Sequence, residues 1–171
     1  EKLTTRFGWI ADLLREANFF AGSSDANTID RVHINKALAA RKEREGFIEF
    51  RMRDDITNGK VRIDTAGAVV GQTNGLTVVD LGSYQFGMPV RVTSRVGAGK
   101  GEIIDIERET DLGGPIHTKG TMILRGILLD RFGQEVPLRL TGTICLEQSY
   151  SDIDGDSASL AEACALLSAL A

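Results

Sequence analysis

Residues 149–159, with the sequence SYSDIDGDSAS, follow a strand-like run and lead into an apolar helix that extends to residue 171. The stretch places Ser157 at a loop-to-helix junction, between acidic residues and residues with almost no side chain. Gly155 and Ala158 are expected to leave its hydroxyl open to an approaching polypeptide backbone. The first backbone N–H groups of a helix have no partners within it, so they are available to an oxyanion. The pattern is therefore compatible with a serine nucleophile.

The same residues also fit an ordinary helix start. Ser, Asp and Gly before an apolar periodic run are common start signals, and the sequence from Ser159 to Glu162 fits a capping box. Helix starts vastly outnumber nucleophiles, so the spacing alone favours capping over catalysis.

A third interpretation of this stretch is calcium binding. Asp152, Asp154 and Asp156 alternate like the first ligands of an EF-hand loop, which needs glycine at its sixth position and glutamate at its twelfth. Ser157 and Ala163 occupy those two positions, which argues against calcium.

The composition limits the size of the core and the classes of partner that the chain can have. A chain of 171 residues that is 42% hydrophobic can bury one core plus a small satellite. The net charge of −4 does not indicate a nucleic-acid partner, and no apolar run approaches the roughly 20 residues that cross a bilayer. Cys145 and Cys164 are expected to be buried free thiols of a cytoplasmic protein.

The hydrophobic periodicity changes near residue 60. Before it, the pattern predicts one helix that stops by Gly22 and a longer one over residues 34–53 with a bend at Gly46. After it, the pattern predicts a helix that starts near Pro115 and short strands, and the fold class is α/β with a mixed sheet and packed helices. The predicted strands cover residues 61–63, 68–70, 76–81, 90–95, 102–107 and 136–146.

Three further sequence features do not indicate an additional functional site. Residues 97–101 (GAGKG) lack the spacing of a phosphate-binding loop and predict a hairpin turn. His117 at a helix start is expected to make structural hydrogen bonds rather than to activate Ser157. His33 has no acidic or cysteine cluster nearby in the sequence, and no metal site is predicted.

Several motifs together resemble the Lon-type ATP-dependent serine proteases, most closely the LonB-like and Lon-related branch. These motifs occur in the order that the family shows and comprise residues 71–76 (GQTNGL), 105–109 (DIERE), 114–120 (GPIHTKG), 146–150 (LEQSY), 155–159 (GDSAS) and 163–171 (ACALLSALA). The similarity covers nearly everything after residue 60 and, more loosely, the helices before it.

The resemblance implies two domains and a catalytic mechanism. Residues 1–59 are expected to be the end of an AAA+ lid, and residues 60–171 a proteolytic domain truncated at its C-terminal side. Ser157 is expected to be the nucleophile of a serine–lysine dyad whose lysine lies beyond this chain. Asp154 and Asp156 would support it, and Gly75 and Leu76 would border the substrate cleft.

The resemblance also implies partners. The expected substrates are unfolded or misfolded polypeptides, and the expected assembly is a hexameric ring in the cytoplasm, with no membrane partner. No cofactor is expected within this chain, whereas ATP and magnesium are implied for an ATPase domain upstream of it. The alternative is a non-catalytic oligomerisation or substrate-binding domain that retains a Lon-like fold.

Overall fold

A computed structural model describes residues 4–134 and 139–171 of the chain. The chain separates into two compact units, each described by itself below. The first unit comprises Glu1–Met52 with Gly82–Tyr84, and the second comprises Arg53–Leu81 with Gln85–Ala171.

The first unit is built from helices. They are α1 (Phe7–Gly22), α2 (Arg31–Glu45) and the start of α3 (Phe47–Thr57). The helix predicted to end by Gly22 is confirmed, whereas the long second helix is two helices that are interrupted at Gly46. Leu13 and Ala17 of α1 pack with Ala37 of α2 in a small apolar core.

Polar contacts fix the ends and faces of these helices. The Asp30 carboxylate accepts hydrogen bonds from the backbone N–H groups of Val32 and His33, and the His33 ring accepts one in return from the Asp30 N–H. This reciprocal capping satisfies donors that the first turn of α2 would otherwise leave unpaired. His33 is therefore a structural residue.

The second unit is built on a four-stranded mixed sheet, as the α/β prediction requires. Its strands are β1 (Gln72–Asp80), β2 (Gln85–Ala98), β3 (Glu102–Asp105) and β4 (Leu140–Glu147). Their spatial order is β1-β2-β4-β3, with β1/β2 and β2/β4 antiparallel and β3/β4 parallel. The predicted hairpin at residues 97–101 is wrong, because β4 lies between β2 and β3.

Helices cover this sheet. They are α4 (Ile106–Glu109), α5 (Pro115–Phe132) and α6 (Ser159–Leu170). The core combines alternate residues of β2 and β4, such as Val92 and Ile144, with Leu124 of α5 and Leu166 of α6. The alternation arises because successive strand residues point to opposite faces of a sheet.

Two predicted strands do not form. Residues 61–63 and 68–70 are irregular. The last predicted strand, over residues 136–146, is seen as β4 from Leu140, and residues 135–138 lie outside the described part of the chain. In the described ranges, no helix combines the length and apolarity that crossing a membrane requires.

Candidate functional site

Ser157 lies in the segment between β4 and α6, two residues before the helix begins, and is exposed to solvent. The backbone N–H of Ser159 donates to the carbonyl oxygen of Asp156 over 3.2 Å, which closes a turn around Ser157. Gly155, just before this turn, has a φ of +104°, which side-chain-bearing residues rarely adopt. The glycine therefore allows the backbone to present the serine at the surface.

The two small neighbours of the serine have different roles. A Cβ placed on Gly155 would meet no atom within 4 Å, so this side of the turn is open. Ala158 is only 8% exposed and belongs to the apolar core of the second unit. Ala158 thus anchors the loop, rather than keeping space free around the hydroxyl as the sequence suggested.

A groove of about 680 Å³ opens beside Ser157. Five consecutive residues of β1, from Leu76 to Asp80, form one wall, and the serine loop forms the other. The loop residues of the lining are Ser149, Ser151, Asp152, Ile153, Asp154, Gly155, Ser157 and Ala158. Because β1 is the terminal strand of the sheet and pairs with β2 on its other side, the groove follows a strand edge that no described strand occupies.

Three of the five residues proposed from the sequence meet at this groove. Ser157, Asp154 and Leu76 line it, whereas Gly75 and Asp156 are not among its described lining. Asp156 is exposed, and its backbone oxygen closes the serine turn.

Gly75 lies instead where α6 packs on the sheet. A Cβ at this position would lie 3.3 Å from Cγ2 of Val92 and 3.5 Å from Cβ of Ala161. Gly75 therefore allows close packing of the helix that follows the serine.

Asp154 ties the serine loop to the start of α5. Its Oδ1 accepts hydrogen bonds from the backbone N–H groups of Ile116, over 2.9 Å, and His117, over 3.2 Å. Bonds from the backbone N–H groups of Gly155, His117 and Ile116 hold the pKa of this carboxyl below its usual value. The residue thus has a structural partner in addition to its place in the groove wall.

The capping box predicted for Ser159 and Glu162 is wrong. The N-cap of α6 is Ala158, which makes no side-chain capping bond. Glu162 is 1% exposed and is buried in the interior.

Glu162 belongs to a group that we name the acidic–histidine cluster, formed by Asp105, Glu107, His117 and Glu162. All four residues are buried. Nε2 of His117 lies 3.3 Å from Oδ2 of Asp105, and Nδ1 lies 3.6 Å from Oε1 of Glu162. The first contact lacks the direction of a hydrogen bond, since Nε2 has no hydrogen-bond partner in the described residues. His117 therefore faces carboxylates and not the exposed Ser157 hydroxyl.

The cluster shifts the pKa of each of its members. The nearby Asp105 raises the pKa of His117 above its usual value. Burial opposes ionisation of Asp105, but His117 and Thr121 hold the pKa of that carboxyl below normal. Burial raises the pKa of Glu107, and it raises that of Glu162 to about 7. The carboxylates around His117 thus favour its charged form, which opposes a role of this imidazole as a general base.

Sequence reasoning missed this cluster because its members are far apart in the chain. The sequence pattern predicts a strand for Asp105 and Glu107, and it gives no sign that His117 lies next to them. One signal was available: Glu162 is a single charge inside the otherwise apolar run of α6.

The cysteines are both free. Cys145 is only half-buried in β4 and Cys164 is exposed, so the expectation that both thiols are buried is wrong.

Comparison with protein families gives a match over the N-terminal helices. Residues 1–44 match the model described as "Archaeal LonB, AAA+ ATPase LID domain". This match covers α1 and nearly all of α2.

Comparison with curated proteins extends the relationship over most of the chain. Two relatives carry the name "Putative Lon protease homolog". The protein from Escherichia coli K12 is 42% identical over 161 residues, which are 93% of this chain and 28% of the relative. The one from Haemophilus influenzae Rd is 38% identical over 164 residues, 95% of this chain and 27% of the relative. The chain spans about a quarter of the length of these relatives, and over that span it is a Lon-related protein.

Proposed function

We propose that this chain carries the nucleophile of a Lon-type serine endopeptidase, and that Ser157 attacks unfolded polypeptide bound along β1. The observation that carries the proposal is the exposed Ser157 in a groove whose opposite wall is a strand edge. The relationship to Lon homologues supports the same function. A polypeptide lacking secondary structure can add itself to such an edge through backbone hydrogen bonds.

The groove is suited to peptide backbone more than to one particular side chain. Its strand wall combines Leu76 and Val78, both exposed, with the polar Thr77 and Asp80. Backbone pairing supplies affinity that does not depend on sequence, which fits degradation of many unfolded substrates.

The base that activates the serine is proposed to be a lysine from a part of the full-length protein outside residues 1–171. Neither lysine nor histidine occurs among the described residues that line the groove. A lysine can accept the serine proton when an apolar, water-poor site keeps the amine neutral.

The proposed chemistry uses the Ser157 hydroxyl and this amine. Ser157 Oγ bonds to the scissile carbonyl carbon while its proton passes to the neutral amine. The tetrahedral intermediate then releases the substrate amine, which receives that proton, and leaves an acyl-enzyme. Water attacks the ester with the amine again as base, and this step frees the carboxylate and regenerates the hydroxyl. Donors at the start of α6 stabilise the oxyanion.

The whole protein is proposed to couple this cleavage to ATP. The LonB lid match over residues 1–44 supports an AAA+ ATPase module that uses ATP and magnesium outside this chain. Assembly as a hexameric ring in the cytoplasm belongs to the same proposal, with the serine reached only by threaded chains.

Replacement of the serine in the full-length protein tests the function. Ser157→Ala is expected to lower the cleavage of an unfolded, fluorescently labelled protein at least about 1000-fold, since loss of a nucleophile leaves only binding and electrostatic contributions. Ser83→Ala is the matched control, because Ser83 is also an exposed serine but is not among the described residues that line the groove, and it should retain cleavage within about twofold. Size-exclusion chromatography should give the same assembly for both variants. Cleavage by Ser157→Ala at the wild-type rate would exclude Ser157 as the nucleophile.

A second candidate is a peptide-binding domain without catalysis. It is favoured by the same groove lining, which contains no lysine or histidine among the described residues. If the wild type and Ser157→Ala both bind unfolded protein equally and neither cleaves it, this candidate replaces the protease.

A further inference from the structure

The acidic–histidine cluster leaves several buried polar atoms without partners. Oε2 of Glu107, Nε2 of His117 and both carboxylate oxygens of Glu162 make no hydrogen bond with any described residue. These three residues are 3%, 2% and 1% exposed. Leaving a buried polar atom unpaired is unfavourable, so the orphaned atoms of Glu107 and His117 in one cluster indicate a missing common partner.

The charges of the cluster show the sign of that partner. The cluster contains three carboxyl groups but a single imidazole, so its one basic group could balance at most one of three negative charges. The other described hydrogen bonds to these carboxylates come from neutral donors. They are the Thr121 hydroxyl and the Arg108 N–H on Asp105, and the Leu146 N–H on Glu107. Like charges buried together are strongly unfavourable unless a cation or protons offset them.

The geometry accommodates a single ion. One donor atom from each of Asp105, Glu107 and His117 lies within 4.8 Å of the other two. The 3.3 Å between Nε2 of His117 and Oδ2 of Asp105 matches the spacing of two ligands that are each about 2.0–2.1 Å from a tetrahedral zinc ion. Oε1 of Glu107 is held by the Leu146 N–H, which leaves Oε2 for the ion.

Glu162 completes the site from the far side of the imidazole. Its Oε1 lies 3.6 Å from Nδ1 of His117, the ring nitrogen that does not face Asp105. A carboxylate at the second nitrogen commonly orients a metal-bound histidine and makes it a better donor.

From these contacts we propose that Asp105, Glu107 and His117 bind a divalent transition-metal ion, with zinc as the first candidate and Glu162 as the orienting carboxylate. One imidazole with two carboxylates suits zinc or manganese, whereas magnesium and calcium favour all-oxygen sites. The ion would be structural. It would join the β3–α4 boundary to α5 and, through Glu162, to α6, the helix that begins two residues after Ser157.

Metal analysis of the full-length protein tests the proposal. Protein produced with added zinc should retain one more zinc per chain than Glu107→Gln or His117→Gln after desalting, as measured by mass spectrometry of the metals. In calorimetric titrations of chelator-treated protein with zinc, those variants should bind at least about 100-fold more weakly at this site. Glu162→Gln should weaken binding about 10- to 100-fold, because it alters only the orienting group.

Asp111→Asn provides the matched control. Asp111 is an exposed carboxylate on the segment that joins Glu107 to His117, and asparagine tolerates its φ of +58°. This variant should bind zinc within about twofold of the wild type.

The proposal remains testable if a ligand variant does not fold. X-ray absorption of the zinc-loaded wild type should show a site with one imidazole nitrogen and carboxylate oxygens at about 2.0–2.1 Å. Equal metal content in the wild type and the ligand variants, or zinc coordinated only by sulfur, would overturn the proposal. The cluster would then be held together by shared protons.

Discussion

At the scale of single residues, glycines show where the second unit leaves no room for a side chain. Gly71 has a φ of +71°, and a Cβ on it would lie only 2.4 Å from the backbone oxygen of Ser94. Gly126 is inside α5, and a Cβ there would meet no atom within 4 Å outside its own turn. The same residue type therefore has a tertiary role at one position and none at the other.

Alanine substitution at these two glycines should have opposite effects on stability. Gly71→Ala is expected to lower the free energy of unfolding by about 1–3 kcal/mol, through backbone strain and the clash with Ser94. Gly126→Ala is expected to raise it by about 0.5–1 kcal/mol, because alanine loses less freedom than glycine in a helix. Chemical denaturation that shows the same sign for both variants would contradict this account.

The two thiols should differ in reactivity. Burial, with the nearby charges of Glu107 and Glu147, raises the pKa of Cys145 to about 11, so only about one thiol in a thousand is ionised at pH 8. Cys164 is exposed on α6. Iodoacetamide at pH 8 should label Cys164 at least about tenfold faster than Cys145, as followed by peptide mass spectrometry. Faster labelling of Cys145 would show that β4 opens in solution.

At the scale of elements, the first unit joins its two main helices through one carboxylate. The carboxylate of Glu16 in α1 forms ion pairs with two arginines of α2. Nη2 of Arg41 lies 2.8 Å from Oε1, and Nη2 of Arg44 lies 2.6 Å from Oε2. The hydrogen bond from Arg44, opposed by partial burial and reinforced by Arg41, lowers the pKa of Glu16. Two guanidinium groups on one carboxylate hold its geometry more firmly than a single surface ion pair does, so the contact contributes more to stability.

This contact should stabilise the helix pair in a pH-dependent way. Because the folded pKa lies below the unfolded value near 4.5, the contribution is complete above that value and disappears as the pH falls through the folded pKa. Glu16→Gln should therefore cost up to about 1 kcal/mol at pH 7 and progressively less in acid, as the pH falls below 4.5 and through the folded pKa. Hydrogen exchange of the α1 and α2 amides measures the difference.

Asp12→Asn is the control for this prediction. Asp12 pairs with Arg15 within α1, and both side chains are largely exposed. Its substitution should change exchange little at either pH, whereas an equal effect of the two variants would mean that general charge rather than the contact between helices is responsible.

At the scale of the whole molecule, local patterns in the sequence predicted the elements better than their arrangement. The spacing of apolar residues in α1, the alternation in β2 and the proline at the start of α5 each have a local physical cause, and each element formed. The insertion of β4 between β2 and β3 has no such cause, since its pairing depends on packing against residues about 40 positions away.

In the candidate site, too, the features with a local cause were predictable from the sequence and those that depend on tertiary packing were not. The exposure of Ser157 was predictable from a glycine-containing turn before an apolar helix. The opposite wall of the groove was predictable only in part: Leu76 lines it, but Gly75 beneath α6 does not. The burial of Glu162 had one signal in the sequence, its place as the single charge of an apolar helix, but its contact with His117 depends on tertiary packing and had none.

The edge of β1 that no described strand occupies also has a consequence for how the protein behaves in concentrated solution. Leu76 and Val78 are 64% and 68% exposed on this edge, and uncovered apolar strands readily join to copies of themselves. Molecules stored at high concentration would then associate edge to edge and gradually lose solubility. Added denatured polypeptide would compete for the same backbone groups and keep them dispersed.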